Sequence, residues 1–160
     1  MNISPRLIIA GLILLSGCAN LGPQRYAKGT SAETLMQSMG RPTGEYGLAS
    51  GGRRLEYAGG TYGRQTFMFD FDPSDRLVKV EQVLTEEHFA AIKAGMPATE
   101  LLAQIGQPSS KWPVALQRQT VWSYHYDSPF CKWFMVGMSP EGRVMDTAYG
   151  PDPLCESFDN

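Results

Sequence analysis

The residues in this chain best spaced to hold a cation are acids at alternate positions. Asp70-x-Asp72-x-Ser74, with Glu81 eleven residues after Asp70, mimics a calcium-binding loop. Its sixth position is Asp75, where such a loop needs glycine, and its flanks alternate as strands do. Turn capping is therefore the expected role of these acids, and no metal site is predicted. Cys131 and Cys155 offer redox chemistry, and a bridge between them would stabilise the fold by roughly 3 kcal/mol through loop closure. Two buried thiols or a metal pair are the alternatives, but no Cys-x-x-Cys spacing supports zinc and only His88 and His125 could complete the ligand set. Neither histidine has a nucleophile at a recognisable spacing. His88 lies in a helical stretch and His125 sits mid-strand between Tyr124 and Tyr126. Gly59-Gly60-Thr61-Tyr62-Gly63 is rich in glycine but precedes a strand, where a phosphate cradle needs a helix. No enzyme and no cofactor is predicted.

Cys18 is the one residue whose surroundings specify a reaction. Met1 to Arg6 carries one positive charge, Leu7 to Leu15 is apolar, and Leu15-Ser16-Gly17-Cys18 resembles the bacterial lipobox. That resemblance implies a diacylglyceryl group on the Cys18 sulfur, cleavage after Gly17, and a further acyl chain such as palmitate on the new amino terminus. Several acyl chains hold a protein on a membrane far more firmly than one. Ala19-Asn20 after the cysteine resembles the sorting pattern of outer-membrane rather than inner-membrane lipoproteins, so a lipid anchor in the outer membrane, facing the periplasm, is expected. Removal of Cys18 by acylation leaves Cys131 and Cys155 as an even pair in an oxidising compartment, where a disulfide is expected.

The composition fits an exported globular protein. The 160 residues are 42% apolar and 19% charged, with a formal charge of −2. That apolar share supports a packed core, and the charge balance lacks the basic stripe of a nucleic-acid binder. The apolar run near the amino terminus is shorter than the roughly 18 residues that cross a bilayer.

The elements that position these residues are written twice. Gly29-Thr30-Ser31-Ala32 through Leu35, Met39, Gly40 and Pro42 lines up with Gly95-Met96-Pro97-Ala98 through Leu101, Ile105, Gly106 and Pro108, offset by 66. Phe67 to Leu77 matches Phe134 to Val144 at an offset of 67. Each first frame reads as a helix, with Ser31 or Pro97 at its start, an apolar pair four apart, and a left-handed glycine and a proline at its end. Leu55 and Tyr57 alternate, as do Phe67, Phe69 and Phe71, and Trp122, Tyr124 and Tyr126, so strands follow. Asp72-Pro73-Ser74-Asp75 and Ser139-Pro140-Glu141-Gly142 are turns, and third strands run over 76–84 and 143–149. Thr85 to Ala94 reads as a capped helix burying Phe89 and Ile92, while any leading helix of the first copy is short, over 23–28. The predicted fold is α+β: two tandem repeats of helix, helix and three-stranded antiparallel meander, packed together or joined edge to edge. The expected organisation is a signal peptide over 1–17, an anchor linker over 18–28, repeats over 29–84 and 85–150, and a tail over 151–160.

Leu84-Thr85-Glu86-Glu87-His88-Phe89-Ala90-Ala91-Ile92-Lys93-Ala94-Gly95-Met96-Pro97, with Leu101 and Ile105-Gly106-Gln107-Pro108, resembles the SmpA/OmlA, or BamE-like, lipoprotein domain. That resemblance implies a non-catalytic scaffold or accessory role in β-barrel outer-membrane protein assembly. The tandem arrangement also resembles the β-lactamase inhibitory proteins, which implies the alternative of a periplasmic enzyme-inhibitor or protein-binding module. Trp122, Tyr124 and Phe134 are expected in the core. If helices cover one sheet face only, Trp133, Met135 and His125, with Trp112, form an exposed docking patch; otherwise the second copy covers that face itself. Gly51-Gly52-Arg53-Arg54 reads as a basic loop, either solvated or meeting an acidic partner or lipid phosphate.

Overall fold

The computed structural model describes residues 26–156, so Cys18 and the proposed signal segment lie outside the described residues. Helix α1 (Ala32–Met39) is followed by strands β1 (Gly44–Gly47), β2 (Arg53–Ala58), β3 (Thr66–Phe71) and β4 (Leu77–Gln82). Helices α2 (Glu86–Ala91) and α3 (Ala98–Ile105) then lead into β5 (Ser110–Val114), β6 (Gln119–His125), β7 (Lys132–Met138) and β8 (Val144–Pro151). A four-residue helix, α4 (Pro153–Glu156), closes the described chain. The fold is α+β, with two separate antiparallel sheets in the orders β1-β2-β3-β4 and β5-β6-β7-β8.

Each sheet thus has four strands, not three, and the sheets are not joined at their edges. The unforeseen strands, β1 and β5, are edge strands built from Gly44-Glu45-Tyr46-Gly47 and Ser110-Lys111-Trp112-Pro113-Val114. Glycine and proline lower β-propensity and hid both strands, but an edge position tolerates them because one side of the strand needs no ladder partner. The first repeat has a single helix among the described residues, since 26–28 are irregular and turn. Helix α2 stops at Ala91, three residues before the predicted end, because Ile92 takes an extended ψ of 124°.

The duplication extends to individual hydrogen bonds. Gly29 N–H donates to Leu77 O and Leu77 N–H to Thr30 O, as Gly95 does to Val144 and Val144 to Met96. Arg76 and Arg143 donate to the carbonyls of Gly29 and Gly95 respectively. Both third strands carry a register shift, at Asp70/Phe71 and at Gly137/Met138. Ser31 caps α1 by accepting from Thr34 N–H, whereas Pro97 caps α3 by conformation alone. Gly40 and Gly106 end these helices with φ of 82° and 79°, but their ψ of −165° and −168° puts them in a region reserved for glycine rather than in the left-handed helical region.

Each repeat has its own core. Ala32 and Leu35 of α1 pack on Leu55, Phe69, Phe71 and Leu77. Leu101 and Ile105 of α3, with Phe89 of α2, pack on Tyr124, Phe134 and Val136. Tyr124 and Phe134 are buried as expected, while Trp122 sits at the border of the core with the Lys111 ammonium 3.9 Å above its ring.

Candidate functional site

Strand alternation gives each sheet a second face, and the two second faces meet different fates. On the first sheet that face carries Arg54 and Glu56 of β2 and Thr66, Met68 and Asp70 of β3. Glu56, Thr66 and Met68 are all at most 2% exposed, although they lie opposite the α1 side. The end of α3 covers them. Arg54 forms a two-pronged pair with Asp70 through Nε at 2.6 Å and Nη2 at 2.9 Å, and its Nη1 donates to Ala103 O at 2.8 Å. Gln107 N–H donates to Glu56 Oε1 at 2.9 Å, and Tyr46 donates its hydroxyl to the other oxygen of Glu56. Burial, reinforced by that carboxylate, pushes the Tyr46 hydroxyl above its ordinary range. Asp70 likewise raises the Arg54 guanidinium, against the cost of its burial.

Arg54 is therefore committed to the seam between the repeats. Arg53 pairs with Asp75 at 2.8 Å and Glu45 at 3.0 Å on the surface, and both arginines open β2 rather than lie in a loop. Asp70 is held by Arg54, and Asp72 Oδ1 accepts from Ser74 and Arg76 N–H, which is turn capping. Among the described residues no three His, Cys, Asp or Glu side chains cluster as a metal site.

The second face of the second sheet is not covered in this way. Trp112 of β5, Ser123 and His125 of β6, Trp133 and Met135 of β7, and Ala148 of β8 share it through the strand register. The Trp112 and Trp133 rings stack with centroids 5.2 Å apart and planes 20° apart. His125 continues the stack at 5.4 Å from Trp133. Ser123, between these strands, is fully buried and its hydroxyl bonds that of Ser110 at 2.7 Å. Gly150 lies opposite Trp133, and a Cβ there would come within 2.8 Å of Met135 Cε and 3.2 Å of the Trp133 indole nitrogen. Four predicted docking residues, Trp112, His125, Trp133 and Met135, thus come together on one face, but not as the exposed patch expected: His125 is buried at 6% exposure beneath the Trp133 ring, and Trp112, Trp133 and Met135 are half-buried. Arg53 and Arg54 are not among them.

Besides the expected disulfide, two supporters of this face had no sequence signal. Asp152, 1% exposed, aims Oδ2 at His125 Nδ1 from 2.9 Å. Arg64, from the first repeat, brings Nη2 within 3.9 Å of the same Asp152 oxygen and 3.6 Å of Cys155 Sγ. Cys155 is joined to Cys131 in a disulfide, with Cα atoms 6.1 Å apart. An acid in Pro151-Asp152-Pro153 reads as a turn residue, and a lone arginine in a glycine-rich hairpin reads as solvated, so neither stands out before folding.

The equivalent positions explain why the two faces differ. Where the first sheet has Arg54, Glu56 and Asp70, the second has Val121, Ser123 and Gly137, so the polar groups that grip a helix end are gone. Thr66, whose Cγ2 lies 2.9 Å from where a Cβ on Gly106 would stand, is replaced by Trp133. The larger Trp133 ring thus stands at the position where the first sheet has a small side chain close against Gly106 of α3's end. The arrangement presents rigid aromatic surface backed by a buried imidazole–carboxylate pair, which suits binding.

No protein-family profile matches the chain, and no curated protein matches it. The SmpA/OmlA resemblance therefore rests on the residues quoted above. Solved structures overlap the chain only weakly, as three of them illustrate. A candidate beta-lactamase inhibitor protein from Streptococcus mutans has a TM-score of 0.32 at 14% identity, over 79% of this chain and 85% of that one. A cysteine-rich secretory protein from Staphylococcus aureus has a TM-score of 0.30 at 12% identity, over 79% and 45%. An extracellular protein containing an SCP domain from Bacillus anthracis has a TM-score of 0.30 at 11% identity, over 78% and 44%. The chain spans less than half the length of the last two. Likeness of this degree carries nothing about function.

Proposed function

We propose that this protein is a non-catalytic lipoprotein of the bacterial outer membrane, anchored through acylated Cys18, which serves as a scaffold or accessory factor in envelope and β-barrel protein assembly. Its partner docks on the outer face of the second sheet. The observation that carries this reading is the Trp112–Trp133–His125 stack with Met135, on the face whose counterpart in the first repeat is itself a docking surface. Large, pre-ordered aromatic rings lose little freedom on binding and are the side chains that anchor protein interfaces. An acyl anchor would confine this face to the membrane surface and raise its effective concentration for a partner held there.

The test is crosslinking in intact cells, detergent extraction and mass spectrometry of the captured proteins. Recovery of barrel-assembly components, lost in Trp133→Ala, supports the reading. Recovery of one soluble periplasmic enzyme instead supports an inhibitor-type module. Normal barrel-protein levels and an intact permeability barrier in a deletion strain exclude the assembly role. Cys18→Ala should move the protein from the membrane to the soluble fraction.

A further inference from the structure

The geometry points to the Cys131–Cys155 disulfide as a redox latch on the aromatic face: the bridge holds Asp152 beneath His125, and its reduction releases the stack. This inference rests on the docking reading only for its consequence, since the latch itself is a property of the isolated protein.

The bridge and the stack are linked residue by residue. Asp152 N–H donates to Cys131 O at 2.8 Å, Cys155 N–H to Asp152 O at 2.9 Å, and Leu154 N–H to Asp152 Oδ1 at 2.9 Å. These bonds and the disulfide fold the chain after β8 into a tight turn whose product is one buried carboxylate oxygen facing His125. A four-residue helix such as α4 has no stability of its own, so the turn depends on its tether. Among the described residues His125 Nδ1 has no hydrogen-bond partner apart from its approach to Asp152 Oδ2, and that oxygen faces only His125 and, at 3.9 Å, the Arg64 guanidinium, so the carboxylate is the imidazole's compensation for burial. The imidazole ring so held is the floor on which Trp133, and then Trp112, stacks.

The bridge can also be reached. Cys131 is exposed, and with Cys155 it lines an open pocket of about 530 Å³ beside Phe130, Lys132 and Tyr149. Cys131 holds a φ of 50°, in the left-handed region that side-chain-bearing residues adopt infrequently.

The reductant is a dithiol, either a small molecule or a thiol–disulfide oxidoreductase. One of its thiolates attacks a bridge sulfur, forming a mixed disulfide and expelling the other cysteine as thiolate, which takes up a proton. The second dithiol sulfur attacks the mixed disulfide, releasing the remaining cysteine and leaving the reductant as a disulfide. Two electrons pass to the bridge, and Cys131 and Cys155 end as thiols.

The experiment uses the purified chain from residue 18 and dithiothreitol as probe, with mass spectrometry confirming the gain of two hydrogens. Near-ultraviolet circular dichroism reports tryptophan packing, and nuclear magnetic resonance reports the Trp133 indole and His125 imidazole protons. Reduction should abolish most of the tryptophan dichroism and move both sets of resonances while far-ultraviolet dichroism is kept. Asp152→Asn, with the bridge intact, should move the His125 and Trp133 resonances in the same sense and lose most of any further response to dithiothreitol. Fully reduced protein with unchanged dichroism and resonances overturns the latch. So does Asp152→Asn with an unchanged stack, a test that holds even if reduction were to unfold the whole chain. If the stack responds but oxidised protein captures no partner in cells, the latch stands and the docking reading falls.

Discussion

Arg54 of β2 donates through Nη1 to the carbonyl of Ala103 in α3 at 2.8 Å, across 49 residues of sequence, while its other nitrogens hold Asp70. This one side chain thus closes a buried ion pair and fastens the end of one repeat's helix to the other repeat's sheet. Arg54 and Asp70 are 17% and 12% exposed, so water does little to screen or replace the pair.

Arg54→Ala should cost about 3 kcal/mol, because it strands the Asp70 carboxylate and frees the Ala103 carbonyl. Equilibrium urea unfolding measures the loss. The double variant Arg54→Met with Asp70→Leu should recover most of it, since the buried charge is then gone from both sides. A double variant as unstable as Arg54→Ala would show that the seam needs the ion pair itself.

Gly40 and Gly106 share one backbone conformation, so alanine at either should cost about 1 kcal/mol or more in strain. Only Gly106 lies against the other repeat, with Thr66 Cγ2 and the Glu56 carboxylate within about 3.0 Å of an added Cβ; nothing lies within 4 Å at Gly40. Gly106→Ala should therefore lower the melting temperature more than Gly40→Ala. Equal losses would mean that the seam yields freely there.

Trp133 and Phe134 are neighbours on opposite faces of β7. Trp133→Ala should cost about 2 kcal/mol of stability, the worth of its two ring contacts, and weaken partner capture by about a further 2 kcal/mol, roughly 30-fold. Phe134→Ala should cost about 4 kcal/mol by opening a cavity among Phe89, Tyr124 and Tyr149. Urea unfolding and capture yield, measured on both variants, separate the two roles.

Burial raises the hydroxyls of Tyr46, Tyr57, Tyr124, Tyr126 and Tyr149 above their ordinary value of 10.0. The neutral form is favoured on folding, so this contribution is complete below pH 10 and is lost as pH rises from there through the folded values. Urea midpoints should fall steeply above about pH 10, and Tyr124→Phe should blunt the fall. On the acid side, burial opposes ionisation of Glu81, but Lys79, His88 and Arg54 outweigh it and hold the carboxyl below 4.5. Its contribution is present above that value and is lost as pH falls through the folded value, so Glu81→Gln should flatten the acid limb of the stability curve.

The sequence carried the helix frames of both repeats, the turns, the core positions of Tyr124 and Phe134, and the candidacy of Trp112, His125, Trp133 and Met135. It misplaced Arg53 and Arg54 because a Gly-Gly-Arg-Arg run has the composition of a loop, and β2 takes its arginines from pairing with β1 and β3. It missed β1 and β5 because edge strands need little propensity of their own.

What the sequence determined by itself is local or periodic: the duplication, the caps, the turns, and which residues share a strand face. Such features depend on a few neighbouring residues and survive translation into three dimensions. Only the tertiary structure decided which of two equivalent faces a helix end covers and which is left half-exposed. Alternation assigns a residue to a face but is silent on what covers that face. The cover of the first sheet's face comes from contacts between Glu56 and Gln107, 51 residues apart, and between Arg54 and Ala103, 49 apart. Pairings at that range leave no periodic trace in the chain, so Arg54 could be read as surface and Asp152 as a turn until the repeats were packed together.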